Sequence, residues 1–156
     1  MILSWGKCGI EAAPLNNGTA GEWKQVDTPK KDTTKLTPTA GEEITALEEG
    51  GEVVDARYGR NSYTLEFDIF VKKGKELPFP EDDGLVPGEY AIRVTPLEDP
   101  TCEGILIDRS VIRGELNYTT ADGKWMHYVA KCLKPANGAT VKPYVANAGD
   151  AVGPGE

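Results

Sequence analysis

From Tyr63 to Val71 apolar and polar residues alternate: Tyr63, Leu65, Phe67, Ile69 and Val71 fall on one side, Thr64, Glu66 and Asp68 on the other. Side chains of an extended chain point to opposite faces with period two, so this stretch predicts a two-faced β-strand. The same period recurs in Glu22–Val26, in Tyr90, Ile92 and Val94, and in Ile112, Gly114, Leu116 and Tyr118. Ile2–Ala13 predicts a further strand, interrupted by the small residues Gly6 and Gly9, and Gly104–Asp108 is a short apolar run of buried type. Trp125–Leu133 carries large apolar groups on both faces, which predicts a strand covered on both sides and ended by Pro135. Glu42–Glu49 tolerates a helix, but its alternation and the extended style of Val53–Tyr58 favour a strand.

The segments between these strands carry turn chemistry. Pro14–Gly18, Gly59-Arg60-Asn61 and Ala121-Asp122-Gly123 predict turns, the last a hairpin. Thr28–Gly41, rich in Thr, Lys and Pro, predicts a loop or irregular extended segment. Lys72–Pro87 predicts the longest loop, because its prolines forbid a regular central strand. Leu97–Gly104 is a connection with room for a short helical turn. The 18 glycines and 11 prolines among 156 residues supply the punctuation that many short strands need. The predicted fold is all-β, an antiparallel β-sandwich or partly open barrel with at most one short helix. It occupies residues 1–145 as a single domain, without internal repeats, followed by a flexible tail at 146–156.

Charge and cysteine usage narrow the function classes. The balance is acidic, 25 Asp and Glu against 17 Lys and Arg. Such a surface favours solubility and repels a phosphate backbone. Three widely spaced cysteines, Cys8, Cys102 and Cys132, argue against a disulfide framework and for a reducing, cytoplasmic history. Met1–Lys7 has no basic region followed by a long apolar run, which argues against a signal peptide. No apolar segment approaches the roughly 18 residues of a membrane span.

No residue set suggests catalysis, and no cofactor or metal is expected. His127, the only histidine, would need a nucleophile and an orienting acid nearby to act as a base, contacts that a sequence does not supply, and it reads as a structural or surface histidine. The cysteines lack zinc-ligand spacing, and acids beside Cys102 disfavour a reactive thiolate there. Glu81-Asp82-Asp83-Gly84 lacks the register of a calcium loop. Glu66 and Asp68 share a strand face, but glycosidase carboxylates usually come from different strands around a cleft rimmed with aromatics. Lys72, Lys73 and Lys75 form the one basic cluster, either a solvated strand end or a complement to acids on a neighbouring subunit.

The chain resembles small structural proteins of phages and prophages of gut Bacteroidales and, more loosely, the major tail (tail tube) proteins of long-tailed phages. The resemblance rests on Ser4-Trp5-Gly6-Lys7-Cys8, Leu47-Glu48-Glu49-Gly50-Gly51-Glu52, Phe67-Asp68-Ile69, Ile107-Asp108-Arg109, Trp125-Met126-His127-Tyr128 and Leu133-Lys134-Pro135. It covers roughly residues 2–145. It implies a homo-oligomer of hexameric rings that stack into a tube, joined by other tail proteins, through which DNA passes without specific binding. It also implies a helix packed on the sandwich, and location in the virion tail after assembly from the bacterial cytoplasm. Under this reading Glu66 and Asp68 are lumen-facing candidates, and Lys72, Lys73, Lys75 and the Lys30–Pro38 segment are subunit-contact candidates. The alternatives are a head-decoration or tail-terminator protein, or a carbohydrate-binding module. Trp5, Trp23 and Trp125 are that module's candidate platforms, although core roles suit them better.

Overall fold

Alternation along the chain decides the architecture: the long strands of the main sheet each carry an apolar face, and those faces are turned to the inside of one curled sheet. The computed structural model describes residues 6–99 and 101–145. They form eleven strands and no helix. In chain order these are β1 (Cys8–Asn16), β2 (Thr19–Ala20), β3 (Lys24–Gln25), β4 (Lys35–Thr39), β5 (Glu43–Leu47) and β6 (Val53–Tyr58), then β7 (Ser62–Phe70), β8 (Tyr90–Pro96), β9 (Gly104–Thr119), β10 (Gly123–Cys132) and β11 (Lys142–Tyr144). Nine of them make an antiparallel sheet in the order β2-β1-β8-β9-β10-β7-β4, with β3 beside β1 and β11 beside β9. The sheet curls into a half-barrel, the partly open form of the predicted all-β fold. β5 and β6 form a separate two-stranded sheet.

The concave face holds the core. Leu65, Phe67 and Ile69 of β7 meet Met126, Tyr128 and Ala130 of β10, Ile107 and Ile112 of β9, Ile92 of β8 and Ile10 of β1, all buried. No second sheet or helix covers this face among the described residues. The proline-rich segment after β7 does so instead. It carries Leu77, Phe79 and Val86 into the core cluster. Phe79 stands edge-on to Tyr128 (centroids 5.1 Å apart) and to Tyr90 (5.0 Å), and Phe67 lies 5.6 Å from Tyr128. Edge-to-face rings align positive rims with negative faces, which adds to the burial of their apolar area. The segment is tied to β9 by a hydrogen bond from the Gly114 amide to the Gly84 carbonyl (3.1 Å). Gly114 permits that approach: a Cβ there would stand 2.8 Å from Met126 Cε and 3.3 Å from Glu81 Cγ.

The long strand β9 joins two stretches that the sequence presents separately, Gly104–Asp108 and Ile112–Tyr118. Tyr90 faces Ser110 while Ile92 faces Ile107, so one extra residue lies on β9 between these pairs. Such a bulge shifts the inward-facing positions from odd to even numbers, Ile107 before it and Ser110 and Ile112 after it. A broken alternation therefore marks a bulge within one strand. Ser110, buried at this point, donates its hydroxyl to the Tyr90 carbonyl at 2.8 Å.

Other expectations are corrected. Part of the Thr28–Gly41 segment is strand: β4 pairs with β7 from Lys35↔Glu66 to Thr39↔Ser62 and forms one edge of the sheet, where Pro38 is tolerated. β1 begins at Cys8 and runs through Pro14, beyond the expected end at Ala13. β11, with no alternation to announce it, pairs Lys142↔Leu106 and Tyr144↔Gly104. The described residues of Leu97–Gly104 hold no helix; Asp99 accepts hydrogen bonds from the Thr101 amide and hydroxyl. The helix that the tail-tube resemblance implies is absent from the described residues. Neither is β10 covered by a layer on both sides: Met126, Tyr128, Ala130 and Cys132 are buried, whereas Trp125, His127 and Val129 are half-buried under neighbouring side chains. The expected tail at 146–156 lies outside the described residues.

Replacing Phe79 by Ala should remove the centre of the aromatic cluster and cost about 3–5 kcal/mol, read from denaturant unfolding midpoints. Burial also pushes the Cys132 thiol from 9.0 to about 11 and, with the Glu81 charge, the Tyr128 phenol from 10.0 to about 12. Both groups ionise at lower pH in the unfolded chain than in the folded one. Their contribution to stability is complete below about pH 9 and lost as pH rises towards the folded values. Unfolding midpoints measured from pH 8 to 11 should fall, and Tyr128→Phe should make the fall shallower.

Candidate assembly surfaces

Two surfaces stand out: a charged band on the convex face and an arm that leaves the half-barrel. The band follows from strand parity. Leu65, Phe67 and Ile69 point inward, so Glu66 and Asp68 point outward, as the alternation predicts. Asp68 lies opposite His127 of β10, and His127 lies opposite Glu115 of β9. The structure closes both acids over the histidine. His127 Nδ1 is 2.5 Å from Asp68 Oδ1, and Nε2 is 3.2 Å from Glu66 Oε1. Carboxylates only accept, so both contacts are hydrogen bonds when each ring nitrogen carries a proton. Lys35 Nζ stands 3.7 Å from the other oxygen of Glu66, and Arg113 pairs with Glu115 at 2.8 Å. The band is thus a network of paired polar groups rather than a row of unmatched acids. Sequence reasoning found Glu66 and Asp68 but missed their partner, because His127 is about sixty positions away and only the β7–β10 register brings it there.

A strap crosses the end of this band. The Lys30 amide donates to the Asp68 carbonyl (2.8 Å), and the Asp68 amide donates to Thr33 Oγ1 (3.2 Å). Lys30 Nζ lies 4.5 Å from the Trp125 ring centroid and 3.3 Å from Asp122 Oδ2. Farther along the sheet Arg93 forms a two-pronged pair with Glu11 (2.9 and 3.2 Å) and stacks 4.2 Å from the Trp23 ring centroid. Trp23 and Trp125 are therefore neither core residues, as expected, nor open platforms for a sugar, since a cation lies over each ring. Trp5 lies outside the described residues. Arg109 grips Glu89 through two hydrogen bonds (3.0 and 2.8 Å), which hold the Glu89 carboxyl below its ordinary range.

The arm is the β5–β6 hairpin. Every residue from Glu42 to Asn61 is exposed. At its base the Gly59 amide donates to the Glu42 carbonyl (2.7 Å), and the Gly41 amide donates to Asn61 Oδ1 (3.3 Å). Gly41 allows the two strands to pinch together, because a Cβ there would collide with the Gly59 carbonyl. At the tip Gly50 and Gly51 take left-handed conformations (φ 95° and 89°), which glycine adopts without a steric penalty. A bulge between Ala46 and Leu47 sets Leu47 opposite Val53, and Glu43 lies opposite Tyr58. Directly paired residues share a face, so Leu47, Val53 and Tyr58 fall on one side of the arm; they are 60, 60 and 75% exposed. Six acids, Glu42, Glu43, Glu48, Glu49, Glu52 and Asp55, surround them, against Arg57 and Arg60.

Lys72, Lys73 and Lys75 lie together in the exposed turn after β7. The Lys75 amide closes that turn onto the Lys72 carbonyl (3.2 Å), and Lys75 Nζ reaches Asp27 at 3.7 Å. None of these lysines joins the Glu66–His127–Asp68 group among the described contacts. Below the strap a groove of about 580 Å³ opens between Leu36, Leu65, Val94 and Ile105. Lys7, Lys30, Lys31, Lys35 and Asp32 line it, with Cys8 among the walls. Cys8, Cys102 and Cys132 all remain thiols. Among the described residues no cluster of His, Cys, Asp or Glu could hold a metal ion, and no helix is long and apolar enough to cross a membrane.

The band and the arm should answer differently to mutation. His127→Ala leaves two carboxylates facing each other without a donor between them and should cost about 1–3 kcal/mol in urea unfolding. Leu47→Ser with Val53→Ser touches only solvent-exposed groups and should stay within about 0.5 kcal/mol of the parent.

No protein-family model matches the chain, and no curated protein matches it.

Proposed function

We propose that this protein is a structural subunit that assembles with copies of itself, as a phage tail tube protein does, into rings that stack into a DNA-conducting tube. The observation that carries the self-assembly reading is the arm. A lone two-stranded hairpin is marginally stable in water, and an element with exposed apolar groups and no core of its own gains by being covered. This one presents Leu47, Val53, Val54 and Tyr58 to solvent on an element that adds nothing to the core. A second support comes from the open sheet edges. Among the described residues β4 pairs only with β7, and beyond Gly114 the strand β9 pairs only with β10, so both offer unpaired backbone groups to a neighbour.

The tube identity itself rests on the resemblance of the sequence, and hexameric rings and a virion-tail location belong to the same proposal. The acidic balance suits it: a wall that carries carboxylates lets a phosphate backbone slide past without trapping it. Glu66 and Asp68 are the proposed lumen positions, and their pairing with His127 holds them in a defined place on the wall. Lys72, Lys73 and Lys75, exposed on a turn, are proposed to meet a neighbouring subunit. No catalytic or cofactor role forms part of this proposal.

Negative-stain electron microscopy of concentrated protein, alone and with tail-tip initiator proteins, tests the reading. Rings or tubes are the expected outcome. A protein that stays monomeric under both conditions overturns it.

A further inference from the structure

The arm and the groove are complementary in chemistry. The arm tip offers Leu47 and Val53 flanked by Glu48, Glu49 and Glu52. The groove offers an apolar floor of Leu36, Val94 and Ile105 beneath four lysines. Two of those lysines have partners within the chain, Lys30 with Asp122 and Lys35 with Glu66, whereas Lys7 and Lys31 stand exposed at the rim. Asp32 is the sole acid among the groove's lining residues. The arm's strands have five and six residues; at about 3.3 Å per residue it projects on the order of 20 Å, enough to enter a neighbouring molecule. Among the described residues the arm lacks apolar cover, and Lys7 and Lys31 have no ion-pair partner, so each surface offers what the other needs.

We infer that the β5–β6 arm of one subunit docks its tip into the lysine-rimmed groove of a second copy. Leu47 and Val53 cover the groove floor, and Glu48, Glu49 and Glu52 meet Lys7 and Lys31. The contact is heterologous, arm to groove, so each subunit gives one arm and receives another, and the pattern propagates or closes depending on the rotation between copies. This inference rests on the self-assembly reading above and names its contact. Met1–Trp5, next to the groove in sequence, carries no acid to meet the rim lysines.

Cys8 supplies a reporter within the groove wall. Glu49→Cys places a second thiol on the arm tip, and mild oxidation should link it to Cys8 of another molecule, identified by peptide mass mapping. Reversing the arm charges (Glu48→Lys, Glu49→Lys, Glu52→Lys) or the rim charges (Lys7→Glu, Lys31→Glu) should each raise the concentration needed for self-association by at least about tenfold. Combining both reversals in one chain should restore it towards the parent value. Lys72→Glu with Lys73→Glu is the control and should leave the cross-link to Cys8 in place. Rings or tubes that persist through both single reversals, without the Cys8 cross-link, overturn the arm–groove contact and leave the tube reading standing. The contact is overturned in the same way if rim reversal leaves self-association unchanged. The Cys8 cross-link with charge-swap rescue, in a protein that forms short oligomers but never rings or tubes, supports the contact and overturns the tube.

Discussion

The packing of Phe79 into the concave face is the contact on which the rest depends. A single curled sheet has one apolar face to hide and, among the described residues, no helix or second large sheet to hide it. The covering falls to an irregular segment that could not stay in place by backbone pairing alone. Its prolines limit the freedom lost on ordering, and its aromatic ring reaches Phe67, Tyr90 and Tyr128 together. β7, β8 and β10 are thus joined across the mouth of the half-barrel as well as through their ladder. The curl of the sheet and the closure of the core are one constraint, since a flatter sheet would hold those rings farther apart.

The convex face obeys a different logic. Its outermost pairs, such as Arg113–Glu115, stand in water and contribute little to the fold as isolated ion pairs, whereas the Glu66–His127–Asp68 group is part-buried. Their geometry is nevertheless specific. Asp68 holds His127 through a side chain and the Lys30 strap through its backbone carbonyl, so one residue couples the β7–β10 register to the path of the chain before β4. The strap in turn roofs the groove. The order of the charged band and the shape of the groove are consequently linked.

Much of the strand framework was legible from period-two alternation, because most strands bury one face only. β7 and β10 were visible for that reason, and the Ala121-Asp122-Gly123 hairpin for its turn chemistry. β4 and β11 were not, because an edge strand with one inward side chain, or three residues beside a longer partner, leaves no periodic trace. The bulge in β9 disguised one strand as two. For the candidate surfaces, the sequence showed the acids but not the histidine between them, which needed cross-strand register. The arm was visible as two extended segments. Its separation from the core was not, because Leu47, Val53 and Tyr58 carry the hydrophobicity of residues that normally lie inside.

The pinched base at Gly41 and Gly59 has a consequence for how such a chain can diverge. The arm is joined to the half-barrel through a narrow neck, and its side chains support none of the core. Changes along Glu42–Asn61 are therefore screened by what the arm touches and scarcely by whether the domain folds. Selection for a new neighbour can rewrite this segment while the half-barrel stays under its own, separate pressure. A lineage built on this fold would be expected to accumulate its differences in the arm first.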